Sequence, residues 1–239
     1  MTSHTTSDLE LPKPERTARE LEILDAAASV FHEKGYSASS IQDVADAVGI
    51  LKGSLYYYID SKEDLLFGIL LDTHHESMRR LAQWQKIKGD ALVRLRAFIE
   101  GHVTANIANR IKIGVFLHDF RSLSPERRAV IVADRDVYDG WVRELIRDGQ
   151  QEGVVHEDID PKLAAMALLG MMNWTYQWYD PDGSVTPHGL ARSFADLALA
   201  GLAVRPEPVA TLGPFPAGWE EVVGEEALSA HQGMAPTID

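Results

Sequence analysis

Cysteine is missing from this chain, which excludes disulfides, thiolate metal sites and a cysteine nucleophile, and leaves His, Asp and Glu for any metal or acid–base chemistry. Long apolar runs are missing too. The longest, Leu163 to Met172, is half of what a bilayer span requires, and the polar start from Met1 to Leu9 lacks the apolar core of a signal peptide. A soluble, cytoplasmic protein with no membrane partner is expected. No convincing strand pattern occurs, and G-x-S-x-G, H-E-x-x-H and P-loop motifs are all absent, so the composition does not indicate an enzyme, a metal site or a cofactor. Positive charge is scarce as well. The 239 residues carry a net charge of -13, an unpromising balance for a partner rich in phosphate. Six acids against Arg205 in residues 203 to 239 explain only part of it, because residues 1 to 62 hold ten acids against six bases.

What is present is helical periodicity. Residues 1 to 15 have two prolines and no period and read as a flexible arm. From about Thr17, Ile23, Ala27, Val30 and Phe31 mark one face of a first helix that ends at Lys34 and Gly35. Ser40 and Asp43 have capping-box spacing, and Ile41, Val44, Ala45 and Val48 then repeat helically until Gly49. A third short helix, Lys52 to Ile59, and a fourth opened by Ser61 and Asp64 follow. Two short helices joined by a tight glycine turn form a helix-turn-helix pattern over residues 40 to 59. Further on, the chain predicts a long helix from Gly89 to about Asn109 and a shorter one to Phe120. A third starts at Ser124-Pro125, with Val130, Ala133, Val137, Trp141 and Leu145 inward, and two more start at Pro161 and at Thr186-Pro187. The expected fold is all-α with about nine helices. A head occupies residues 16 to 62, extending to about 77, and a helical body occupies 78 to 204. Residues 205 to 239, acidic and with five of the eleven prolines, read as a mobile tail in which 220 to 228 are a weak helix.

The third helix is an unusual packing element. Leu55 and Ile59 share its core face, which leaves Lys52, Gly53, Ser54, Tyr56 and Tyr57 outward. That outer surface suits a nucleic-acid duplex: glycine permits close approach, while lysine and the hydroxyls donate to phosphates or base edges. Ser40 with the free N–H groups of the second helix, and Lys62 at the start of the fourth, are further candidates. Tyr36 and Tyr58 are read as packing residues.

The run Ile41 to Leu65, IQDVADAVGILKGSLYYYIDSKEDL, resembles the TetR family of bacterial one-component regulators, with the same A-x-x-[AV]-G turn, K-G-[ST]-[LI]-Y-Y helix and S-K-E-x-L restart. The resemblance implies DNA contacts from Ser40, Lys52, Gly53, Ser54, Tyr56, Tyr57 and Lys62, and a body that binds ligand and dimerises. Leu51 departs from it by replacing the usual Ser or Thr cap, and Ile59 by replacing phenylalanine. NWTYQWYDPDG and GILKGSLY further resemble the members that sense acyl-CoA thioesters, which suggests a long apolar acyl cavity.

In the body, the helix from Pro161 is apolar almost all round, so it is expected to face both its own chain and a partner. Ala164, Leu168, Gly170, Leu190, Phe194, Leu197 and Ala198 are the candidate homodimer residues. The candidate pocket residues are His102, Asn106, Phe116, Phe120, Met171, Asn173, Trp174 and Trp178, apolar with a few polar groups as a small-molecule site requires. The bland alternative for such a stripe is plain core. His74, His75, His102 and His118 fall on neighbouring helices and raise the question of a metal, although lone helical histidines are usually surface or satisfied core groups. The reading is therefore a homodimeric, palindrome-binding repressor released by a small hydrophobic ligand; a ligand-responsive activator and a helical enzyme or carrier remain as alternatives.

Overall fold

The computed structural model describes residues 16–204, so the readings placed on residues 1–15 and 205–239 lie outside the described residues. Ten α-helices follow one another: α1 Ala18–Lys34, α2 Ile41–Val48, α3 Lys52–Leu55, α4 Lys62–Trp84, α5 Ala91–Ala108, α6 Arg110–Asp119, α7 Pro125–Gln151, α8 Pro161–Asn173, α9 Thr175–Trp178 and α10 Pro187–Leu202. Among the described residues there is no strand, and α9 is a single turn immediately after α8, so the all-α plan of about nine helices holds. The chain forms two compact units, one up to Ile69 and the other from Leu70.

In the first unit the helix starts are chemical. Thr17 and Glu20 close a full capping box on α1, and Ser40 and Asp43 close another on α2, satisfying N–H groups that a helix start leaves without partners. Gly49 ends α2 at φ 73°, a left-handed conformation that glycine adopts without a Cβ clash, and Ile50 N donates back to Ala45 O. Ile23, Leu24, Ala27, Phe31, Val44, Ala45 and Leu55 form the core, all buried.

In the second unit α5 is the axis. Every residue from Ala97 to Ile107 is buried, so α7, α8 and α10 must cover it from different sides. Gly101 lets Trp84 lie flat on α5, since a Cβ there would come within 2.7 Å of the indole nitrogen. On α7 the inward residues are Ile131, Tyr138, Val142, Leu145 and Ile146; Val130, expected inward, is exposed, because a helix this long drifts out of a simple four-residue repeat. α8 turns Ala165, Leu168 and Met172 into the core and leaves Leu163 and Met166 outside.

Full burial of α5 brings a carboxylate with it. Glu100 accepts from Arg96, which also donates to Asp196 on α10, but among the described residues Glu100 Oε2 has no hydrogen-bond donor. Burial outweighs the Arg96 charge and pushes the carboxyl up from 4.5 to about 7. The protonated form therefore stabilises the fold fully below about 4.5, an advantage lost as pH rises through about 7. Glu100→Gln should raise the melting temperature at pH 8 by a few degrees, the shift that ~1 kcal/mol produces in a chain of this size, and by less at pH 5. Melting curves at the two pH values check this; an equal shift at both removes the argument.

Candidate nucleic-acid interface and internal pocket

The turn Gly49 to Leu51 delivers α3, which is shorter than the sequence indicates. Only Lys52–Leu55 is α-helical, and tighter i to i+3 bonds from Tyr57 N to Ser54 O (3.3 Å) and from Tyr58 N to Leu55 O (2.9 Å) carry the chain on. Leu51 has no side chain with which to cap the helix, as its departure from the family pattern implied. Leu55 is fully buried and anchors the segment. Around that anchor Lys52, Gly53, Tyr56 and Tyr57 are exposed, Tyr57 by 89%, and Ser54 is half-buried beside them. Tyr58, expected in packing, is also exposed, because the chain leaves helical geometry at this point and turns its ring out. One short segment thus displays a cation, a bare backbone and three phenols.

Two other candidates have internal roles. The Ser40 hydroxyl donates to Asp43 Oδ2 (2.6 Å) and accepts from Asp43 N (3.1 Å), so the α2 cap already engages it. Lys34 and Ser40 hold the Asp43 carboxyl far below the usual carboxylate range. The Lys62 ammonium donates to the carbonyls of Tyr36 and Ser39 and lies 4.3 Å from the centre of the Tyr36 ring, whose edge meets Phe31. It ties the start of α4 to the α1–α2 loop, a cation over an aromatic face with two carbonyl acceptors. Tyr36 is thus the packing residue expected of it.

The pocket lies wholly in the second unit, with a volume of about 540 Å³. α5 and α8 bring together four of the residues expected there or nearby: His102, Asn106 and Asn173 line it, and Phe116 comes from α6. Phe120 stacks on Phe116, with ring centres 6.2 Å apart, but does not reach the cavity. Met171 packs into the core, and Trp174 and Trp178 are about half exposed on the outside. Gly170, expected in a dimer contact, does line the cavity. The sequence reading missed Thr73, His74 and Ser77 from α4, Tyr138 from α7, and a set of charges comprising Arg135, Asp136, Asp139, Arg143 and Lys162. These polar groups belong to helices whose apolar positions carry the periodic signal, which is why the signal passed them over.

His102 organises the pocket wall. Its Nδ1 lies 2.6 Å from the Tyr138 hydroxyl and its Nε2 lies 2.9 Å from Asn173 Oδ1, which also accepts from Asn106 Nδ2 at 3.2 Å. Burial lowers the imidazole to about 4, so at neutral pH it is uncharged, with Nε2–H donating to Asn173 and Tyr138 donating to Nδ1. Both ring nitrogens are therefore engaged. His118 is exposed and bonds Asp119, and among the described residues no group of three His, Asp or Glu side chains is placed to hold a metal. Protonating His102 destabilises the fold as pH falls from 6.5 towards about 4. That window nearly coincides with the opposite trend of Glu100, so each masks the other in the native chain.

Among the expected dimer residues, Leu168, Leu190 and Ala198 are buried in the chain's own core, and Ala164 and Phe194 pack against it. Leu197 and Gly170 are exposed. The outward stripes are rotated from the expectation: Leu163, Ala167 and Gly170 on α8 with Trp174 at its end, and Ser193, Leu197, Gly201 and Val204 along α10 and its end.

A helix-turn-helix unit followed by a helical body is the construction of a DNA-binding regulator. Residues 23–69 match the profile described as bacterial regulatory proteins, tetR family, and residues 88–202 match the tetracyclin repressor-like C-terminal domain. The chain belongs to the TetR family of bacterial transcriptional regulators, and as such is not an enzyme. The HTH-type transcriptional repressor KstR2 of Rhodococcus jostii (strain RHA1) is 29% identical over 190 residues, covering 79% of this chain and 93% of that protein. The TetR family regulator PfmR from Thermus thermophilus is 36% identical, with a TM-score of 0.70 over 75% of this chain and 97% of that one. AibR, solved in complex with isovaleryl coenzyme A and operator DNA, is 30% identical, with a TM-score of 0.69 over 75% of this chain and 97% of that one.

Two substitution classes separate display from support. Lys52→Ala or Tyr57→Ala should each weaken operator binding by at least ~1 kcal/mol while the melting temperature stays put, on the scale of single direct contacts. Lys62→Met should lower the melting temperature. Operator titrations beside melting curves decide it, and unchanged affinity in both α3 variants would mean the DNA surface lies elsewhere.

Proposed function

We propose that this chain is a homodimeric, cytoplasmic repressor that leaves a palindromic operator when a small, mainly hydrophobic ligand, an acyl-CoA thioester, fills the body of each subunit. The observation that carries the reading is the cavity of about 540 Å³ in a chain that also has the family's DNA-binding unit. The repressor role of KstR2 and the isovaleryl coenzyme A bound to AibR support it. The cavity itself adds chemistry. Phe116, Leu117 and Leu169 offer apolar surface, while Arg135, Arg143 and Lys162 in the same lining supply cations that phosphate groups need. No helix among the described residues is long and apolar enough to cross a membrane.

The outward stripes on α8 and α10 supply the dimer contact in this reading. Leu163, Trp174 and Leu197 are each more than half exposed, a large apolar surface to leave in water. Small residues beside them, Ala167, Gly170 and Gly201, let two helix pairs approach closely. Ligand must favour one arrangement of the two heads over another to release DNA. α4 is the covalent route, since one unbroken helix begins at Lys62 and supplies Thr73, His74 and Ser77 to the cavity wall.

Footprinting upstream of the chain's own gene should give two protected half-sites about one or more helical turns apart. Absence of any sequence-specific protection at modest salt would sink the repressor reading. Leu197→Asp should convert the dimer to monomer in sedimentation velocity and reduce operator affinity at least tenfold; an unchanged sedimentation coefficient would place the interface elsewhere.

A further inference from the structure

Within the reading of the cavity as the effector site, we propose that Asn106 and Asn173 select effectors that carry a keto or hydroxyl oxygen on the buried part of the molecule, and discriminate against plain saturated acyl chains. Asn173 Oδ1 accepts from both His102 Nε2 and Asn106 Nδ2, which uses its two lone pairs. Its amide N–H groups then have no acceptor among the described residues, and Asn106 Oδ1 likewise has no donor. Both side chains line the cavity. The wall therefore presents a donor and an acceptor side by side, in a fixed orientation.

That orientation is not free to change. Asn106 Nδ2 also points at the Met172 carbonyl (3.5 Å), which can only accept, so Asn106 keeps its nitrogen towards Asn173 Oδ1 and Asn173 in turn presents that oxygen to His102 Nε2–H, leaving Nδ1 to the Tyr138 hydroxyl at 2.6 Å. The two faces left open suit a hydroxyl, which offers both roles, or a ketone, which accepts from Asn173. A saturated chain laid against them strands two polar groups away from water. Sites built to hydrogen-bond a ligand oxygen reject the analogue lacking it far more strongly than apolar pockets reject an added group. The expected long apolar acyl cavity is thus replaced by one with a polar patch in its wall.

The test uses the full chain and calorimetric titration of octanoyl-CoA against keto and hydroxy derivatives of the same chain length, with the corresponding free acids as a second set. At least one oxygenated thioester should bind about tenfold or more tightly than octanoyl-CoA. Asn173→Asp keeps an oxygen for His102 and Asn106 but replaces the donor with a second acceptor and adds a negative charge; the charge bears equally on octanoyl-CoA and its keto derivatives, so the ratio of their affinities should fall to about one, and circular dichroism reports that the fold survives. If no thioester binds but the free acids show the same preference, the thioester reading fails and this inference stands. Octanoyl-CoA binding as tightly as every oxygenated partner, no preference in either set, or an undiminished keto preference in folded Asn173→Asp would overturn it.

Discussion

A helix with no solvent face imposes conditions on everything packed around it. From Ala97 to Ile107 α5 is buried at every position, although Glu100, His102, Thr104 and Asn106 are among those residues. Apolar positions are satisfied by contact alone; polar ones need partners. The helices that cover α5 must therefore bring specific groups to specific places: Asp196 on α10 to Arg96, Tyr138 on α7 to His102, and Asn173 at the end of α8 to His102 and Asn106. The pocket is a consequence. It opens where the covering helices meet polar residues of α5 and do not close completely over them.

The first unit solves a different problem with less material. Its recognition segment is too short to hold itself as a helix, since one turn does not repay nucleation. Leu55 below, the Gly49 turn before and the α4 start after it hold the segment in place. Lys62 is central to that support: in a head with so few bases, one of them is turned inward to join the α1–α2 loop to α4. The outward chemistry is left to Lys52, the backbone at Gly53 and the tyrosines. With a net charge of -4 through Lys62, general attraction to phosphate is weak, and local contacts have to provide specificity and most of the affinity.

Much of this was legible before any coordinates. Capping boxes at Ser40 and Ser61, the breaks at Gly35 and Gly49, and the proline starts at Pro125, Pro161 and Pro187 are local chemistry, and each marked a real helix boundary. Errors arose where a residue's role depends on what lies across from it. Val130 and Ile131 are adjacent and both apolar, so periodicity over so long a helix cannot choose between them. Leu168, Leu190 and Ala198 suit a partner surface by sequence, yet they fill the chain's own core, because an all-round apolar helix has no signal for which face meets which neighbour. Tyr58 turns outward because α3 ends one turn early, and the sequence has no breaker there to announce it.

By itself, the amino-acid order determined the all-α class, the helix-turn-helix segment and the identity of α8 as a helix apolar on more than one side, because capping, glycine turns and apolar period act between residues close in the chain. Tertiary structure alone decided how His102, Asn106 and Asn173 bond to one another and which groups join them in the pocket wall. Tyr138, His102, Asn106 and Asn173 lie on three helices, between 4 and 71 residues apart in their hydrogen-bonded or helical pairings, and no local pattern links them. Only the packing around α5 put an uncharged imidazole between a phenol and an amide, and so gave a hydrophobic body a polar patch in the wall of its cavity.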